Sequence, residues 1–235
     1  MQNNQMEGNI NESYYLCEGL WLDKESKQLI DKNKNDAIID IKEFENKVYI
    51  FIQEVKEWTF HPMDILLNDD KNNKSIYKPF KNSIFILHGV FSYLEKIERY
   101  KIGRNYEENN SQPTKILRDS FQKIFKQNNK DYCKKKMENI LNATRNSLAH
   151  TGNIGDKVLV NYDYENSNAV EYIGSNKELE KVELNPSKMI EEIKIDFQNY
   201  LKKLINPNET ELRENFEKVF DKIYEEEMNY LGERK

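Results

Sequence analysis

Cysteine is scarce: Cys17 and Cys133 are the only two in 235 residues. Two thiols build neither a four-cysteine zinc site nor a disulfide framework, so a reduced, cytoplasmic setting is expected. Histidine is limited to His61, His88 and His150, and none falls in a His-Glu-x-x-His zinc helix. Glycine is sparse too, eight in all. None forms a Walker-type loop or a Gly-x-Gly-x-x-Gly fingerprint, so the common backbone cradles for nucleotide phosphates are missing. No metal and no organic cofactor is expected. No apolar run approaches the roughly 18–20 residues of a bilayer span, and the N-terminus lacks the basic-then-apolar order of a signal peptide. No membrane partner is expected. Positive charge is not in excess: 36 Lys+Arg stand against 41 Asp+Glu, a net charge of −5, which argues against coating duplex DNA by phosphate neutralisation.

What is present is a helical pattern. With 37% hydrophobic and 11% aromatic residues the chain can fill a sizeable core. Residues 1–35 read as a polar and apolar extension, in which Tyr14 to Leu22 fits either an edge strand or a lid. From residue 36 to about 58, Ala37, Ile41, Phe44, Val48, Phe51, Ile52, Val55 and Trp58 recur at three- and four-residue steps, which predicts an amphipathic helix. His61-Pro62 is expected to end it, with a polar loop at 68–74. A second helix is predicted over 80–101 with Gly103 as its stop, and a third from Pro113 with Ile116, Leu117, Phe121, Ile124 and Phe125 inward. A fourth, over 131–151, buries Met137, Ile140, Leu141, Thr144 and Leu148.

After Gly152 the period changes to two. Val158, Val160, Tyr162 and Tyr164 alternate with Leu159, Asn161 and Asp163, and turn residues lead to Ala169–Ile173, which predicts a β-hairpin with residues 181–184 as a possible third strand. The insertion spans about 156–184. A helix then opens at Pro186-Ser187, and a C-terminal helix runs over about 208–231. The fold class expected is all-α in the main: one helical domain over 36–235 with one small β insertion.

The sharpest stretch closes the fourth helix: Arg145-Asn146-Ser147-Leu148-Ala149-His150, followed by Thr151-Gly152. Arginine is a permanent cation whose planar fork suits phosphate oxygens, and histidine exchanges a proton near neutral pH. Six arginines and three histidines in this length give an Arg-x4-His spacing only about 0.08 times by chance. On a continuous α-helix, five residues turn through about 500°, leaving the two side chains about 140° apart. One copy is therefore expected to supply half a site, and a symmetric dimer would bring two copies to one cleft.

These residues resemble the Arg-x(4–6)-His motif of the HEPN superfamily of helical domains, including the polar Asn146 directly after the arginine. The resemblance implies a HEPN-like helical bundle, carrying here a β insertion and an extra C-terminal helix. It implies a homodimeric, metal-independent endoribonuclease of antiphage defence or a toxin–antitoxin system, with Arg145 on the scissile phosphate, Asn146 orienting it and His150 moving a proton. It also implies an acidic or polar support on an earlier helix, for which Glu95 and Glu98 are the candidates. The products expected are a 2′,3′-cyclic phosphate and a 5′-OH. A histidine at a helix C-terminus is biased toward the imidazolium, so an acid role suits His150 best.

Beside the motif, residues 115–136 hold eight Lys/Arg and only two acids. Lys115, Arg118, Lys123, Lys126, Lys134 and Lys135 are the candidate RNA contacts, against the plainer reading of a solvated helix face. Tyr162, Tyr164 and Tyr172 are weighed as base-stacking groups against a covering role over the core. His61 and His88 have no partner in the nearby sequence and read as structural or exposed. Two other readings remain: a non-catalytic HEPN-like module that binds RNA, a nucleotide or an antitoxin or regulatory protein, and a plain helical interaction protein using residues 212–231.

Overall fold

The computed structural model describes residues 13–23, 26, 28–72, 82–104, 113–125, 134–148, 154–161, 168–174 and 179–233. The chain divides into two compact units, residues 1–58 with 220–235, and residues 59–219.

The smaller unit is built on an antiparallel meander of β1 (Ser13–Cys17), β2 (Leu20–Asp23), β3 (Leu29–Asp31) and β4 (Ala37–Ile39). Short alternations produce it: Leu20 and Leu22, then Leu29, turn inward while Trp21 and Ile30 remain half-buried. Asp31 is fully buried yet satisfied, because its carboxylate accepts from Tyr49 Oη at 2.9 Å and from the Asn33 N–H at 2.9 Å. Burial, together with that bond to Asp31, pushes the Tyr49 phenol up to about 12. Helix α1 (Phe44–Val55) buries Val48, Ile50, Phe51 and Val55, and its Lys47 ammonium pairs with Asp221 at 2.8 Å. Trp58 Nε1 donates to the Leu16 carbonyl at 2.8 Å.

The larger unit centres on α3 (Ser83–Ile102), whose Ile86, Leu87, Val90, Phe91, Leu94 and Ile97 are buried. Around it lie α2 (His61–Asn72), α4 (Pro113–Ile124), α5 (Lys134–Leu141), α6 (Pro186–Leu204) and the first turns of α7 (Thr210–Glu233). Phe91 stacks on Phe121 at 6.4 Å between ring centres, and Phe60 meets Tyr93 and Phe197. Tyr93 Oη donates to Asp196 at 2.9 Å, and Lys101 reaches the same carboxylate at 3.0 Å. Asn185 caps α6 by accepting from the Lys188 N–H, with Pro186 in the first turn where its missing N–H costs nothing. A second sheet has the order β5 (Val158–Val160), β7 (Leu179–Leu184), β6 (Val170–Gly174).

The all-α expectation is therefore wrong: the fold is mixed, with a four-stranded antiparallel sheet and a three-stranded sheet. Residues 13–39 form the first sheet: β1 takes its edge, one of the two readings of Tyr14–Leu22, while the strands up to residue 39 replace the rest of an extension and the expected start of a helix. Ala37 and Ile41 fall at helical spacing from Phe44, but Asn35 and Asp36 have left-handed backbone angles (φ 56° and 59°), which no α-helix start accepts, so α1 begins only at Phe44. Nor does β5 pair with β6 as the expected hairpin; the antiparallel pair is β6 with β7, the third strand expected at 181–184. β7 lies between the other two strands, parallel to β5 and antiparallel to β6.

His61-Pro62 does not stop the helix either. A π turn over Lys56–Phe60 widens the backbone just where the proline ring would meet the carbonyl of Trp58, and α2 follows with Pro62 in its first turn. The polar residues 68–72 are accordingly helical. The predicted stop at Gly103 holds, with φ 67°, as does the inward set Met137, Ile140, Leu141, Thr144 and Leu148. Among the described residues no helix is long and apolar enough to cross a membrane.

Candidate functional site

The motif does not sit on a regular helix. After α5 the chain enters a π turn, Asn142–Asn146, and returns to helix at Ser147 and Leu148. Inserting a π turn displaces backbone carbonyls from the α-ladder, and two find partners elsewhere: the Ser147 hydroxyl donates to the Asn142 carbonyl at 3.0 Å, and the Gly155 N–H to that of Ala143 at 2.8 Å. Thr144 is buried, its hydroxyl donating to Ile140 O at 2.7 Å. Pinned from both sides, the turn projects Arg145 toward α3.

There Arg145 meets Glu95. Its Nε and Nη2 both donate to Glu95 Oε1, at 3.0 and 2.8 Å. The N–H groups on Nη1 and the second on Nη2 remain, as does Glu95 Oε2. The arginine side chain keeps 29% of its surface exposed and the glutamate 15%, so the pair stands at a wall and not in the core. That wall bounds an open cleft of about 150 Å³ lined by His88, Phe91, Ser92, Glu95, Arg145 and Leu148. At about 30 Å³ per water it has room for roughly five waters, enough for a phosphate and its neighbouring sugar oxygens. Phe91 and Leu148 are buried and form the apolar floor.

The structure sorts the expected site residues. Arg145 and Glu95 come together. Glu98 does not join them: it is buried, pairs with Lys123 through Oε1, and leaves Oε2 without a hydrogen bond. It lines a different cleft with Arg104, Lys115 and Asp119. Asn146 does not face Arg145's cleft; its amide donates to Asn142 Oδ1 at 2.7 Å. His150 lies outside the described residues, as do Lys126, Gly152, Tyr162, Tyr164 and the side chain of Lys134.

Of the remaining basic candidates, Lys115 is exposed, Arg118 touches Asp119 at 3.3 Å and Lys135 approaches Glu138 at 3.7 Å. The phenylalanines between them, Phe121 and Phe125, are core residues. Tyr172 is buried beneath the ammonium of Lys136, 4.8 Å from its ring centre, which is the covering role and not base stacking.

His88 was read from sequence as structural or exposed without a partner. It is exposed, and it shares the cleft with Arg145. The signal available was the stripe His88, Ser92, Glu95, spaced i, i+4, i+7 along one edge of α3. Among the described residues no group of three or more His, Cys, Asp or Glu is placed to hold a metal ion. Comparisons with protein-family models, with curated proteins and with solved structures find no match to this chain.

Proposed function

We propose that this protein is a metal-independent endoribonuclease of the HEPN type, acting as a homodimer on RNA in antiphage defence or a toxin–antitoxin system. The observation that carries the reading is the Arg145–Glu95 pair on the wall of an open cleft. A carboxylate on an earlier helix orients the motif's guanidinium and leaves part of its donor fork unspent.

The chemistry follows from those groups. Attack of a ribose 2′-OH on the adjacent phosphorus adds negative charge to the phosphoryl oxygens, and a preoriented guanidinium stabilises that charge as it develops. His150, from the same motif, supplies a proton to the leaving 5′-oxygen. The products are a 2′,3′-cyclic phosphate and a 5′-OH. A homodimer would place two such half-sites at one interface, and an antitoxin or other regulatory protein would act by covering it. The decisive experiment incubates the purified protein with labelled RNA in a metal chelator and compares wild type with Arg145→Ala and His150→Ala. Loss of cleavage in both, with folding retained, supports the enzyme.

One observation favours the second reading, a non-catalytic module that binds RNA, a nucleotide or a protein: the charge of Arg145 is already paired. A wild type that binds RNA and never cuts it selects that reading. Motif variants that change only stability select a helical interaction protein.

A further inference from the structure

We infer that His88 is the general base of the Arg145 cleft, an inference that rests on the ribonuclease reading above. Three observations converge on it. The His88 side chain is exposed and lines the same cleft as Arg145. Neither His88 nor Ser92 has a hydrogen-bond or ion-pair partner among the described residues, although neighbouring polar groups of α3 are engaged: Tyr93 and Lys101 with Asp196, Glu95 with Arg145, Glu98 with Lys123. Among the described residues, an imidazole and a hydroxyl are thus left unpaired in a cleft that also holds an arginine with unused donors.

The third is chemical. Transesterification of RNA needs a base for the 2′-OH and an acid for the leaving group. The motif supplies one imidazole per chain, and the reaction proposed above spends it as the acid on the leaving oxygen. A base is then wanting, and His88 provides one in the same chain without help from a second copy. His88 and Glu95 are seven residues apart, about 10 Å along the helix. The imidazole closes this span at one end and the Arg145 guanidinium at the other, so a bound nucleotide has its ribose toward His88 and its phosphate toward Arg145.

In the step, the neutral His88 imidazole takes the 2′-OH proton as the O2′–P bond forms and the P–O5′ bond breaks. The leaving O5′ takes a proton from protonated His150. Arg145 stays cationic against the phosphorane, and no water or redox partner is consumed. Exchange of one proton with solvent at each imidazole resets the site. Ser92, between His88 and Glu95 along α3, lines the same cleft with a hydroxyl that can hold a phosphate or sugar oxygen.

The test uses the full-length protein and two labelled RNAs, bulk tRNA and an unstructured oligoribonucleotide. His88→Ala is expected to lower kcat about 100-fold with KM within about twofold and an unchanged unfolding midpoint, because the residue is exposed. Added imidazole should restore part of the activity of His88→Ala and none of that of Arg145→Ala. If His88→Ala cuts like wild type while Arg145→Ala is dead, the base assignment falls and the ribonuclease reading stands. A rise in KM with kcat held, or no rescue by imidazole, overturns it equally. If wild type cuts neither RNA, both fall.

Discussion

Replacing Glu95 with glutamine isolates what holds Arg145 in place. The substitution keeps an oxygen to accept from Nε and Nη2 but removes the charge. Two unit charges about 4 Å apart at an effective dielectric near 20 attract by about 4 kcal/mol. Most of that is offset by desolvating two largely buried groups, since exposed pairs net about 0–1 kcal/mol and breaking a buried pair costs about 3–5. With 29% and 15% of the side-chain surfaces exposed, the pair belongs between these limits, at about 1–2 kcal/mol. For a chain of this length that is a fall in Tm of about 2–8 °C. The assay is a double-mutant cycle of Glu95→Gln and Arg145→Met by urea denaturation, with the slopes checked for equality. A coupling of about 1–2 kcal/mol supports the pair as drawn. Additivity within about 0.3 kcal/mol would refute it. If the pair serves catalysis, Glu95→Gln also cuts RNA cleavage at least 10-fold when assayed well below its Tm; a stability loss with full activity would leave only a structural tie.

Three further perturbations test the frame around the site. Gly155→Ala brings a Cβ within 2.9 Å of the Ala143 carbonyl, so the backbone that clasps the π turn must shift. We expect a stability loss of about 1–3 kcal/mol and weakened cleavage without any change to Arg145 itself, measured by urea midpoint and turnover; an unchanged midpoint would show that the clasp is slack. Gly103→Ala meets both a left-handed φ of 67° and the Asn215 side chain, and should cost about 1–3 kcal/mol by thermal unfolding, whereas a neutral result would mean that α3 ends differently. Tyr49, with its phenol pushed up to about 12 by burial and by Asp31, holds its proton in the folded state at pH values where the unfolded chain, near 10, has lost it. The stability it contributes is complete below pH 10 and disappears as pH rises to about 12. Tyr49→Phe should flatten that alkaline decline, and an unaltered profile would contradict the burial of the hydroxyl beside Asp31.

The helices from α3 to α6 were legible because each carries a long apolar stripe and a stop or cap that only a few residue types supply, such as Gly103 and Pro186. The first sheet was not. Its strands are three to five residues long, too short for alternation to stand out. Ala37 and Ile41 mimic a helical step into α1, and the two left-handed residues that forbid it are ordinary Asn and Asp. The π turns were hidden for a similar reason, since a one-residue widening leaves the buried set Thr144 and Leu148 unchanged. At the site, Arg145 was readable from its spacing to His150. The choice between Glu95 and Glu98 was not, because both are glutamates outside the apolar stripe of α3, three residues apart, and nothing in the sequence shows that Glu98 is buried. Only the packing of α4, which brings Lys123 to Glu98, leaves Glu95 for the arginine. His88 escaped because Arg145, which shares its cleft, lies far from it along the chain.

The central claim is that Arg145 works on a phosphodiester without a metal. The most direct measurement is the chemistry of the ends produced from labelled RNA by the purified protein in excess chelator, alongside Arg145→Ala. Wild type is expected to leave fragments ending in 2′,3′-cyclic phosphate and 5′-OH, and the variant to leave the RNA intact. Ends of 3′-OH and 5′-phosphate, or equal cutting by Arg145→Ala, would contradict it.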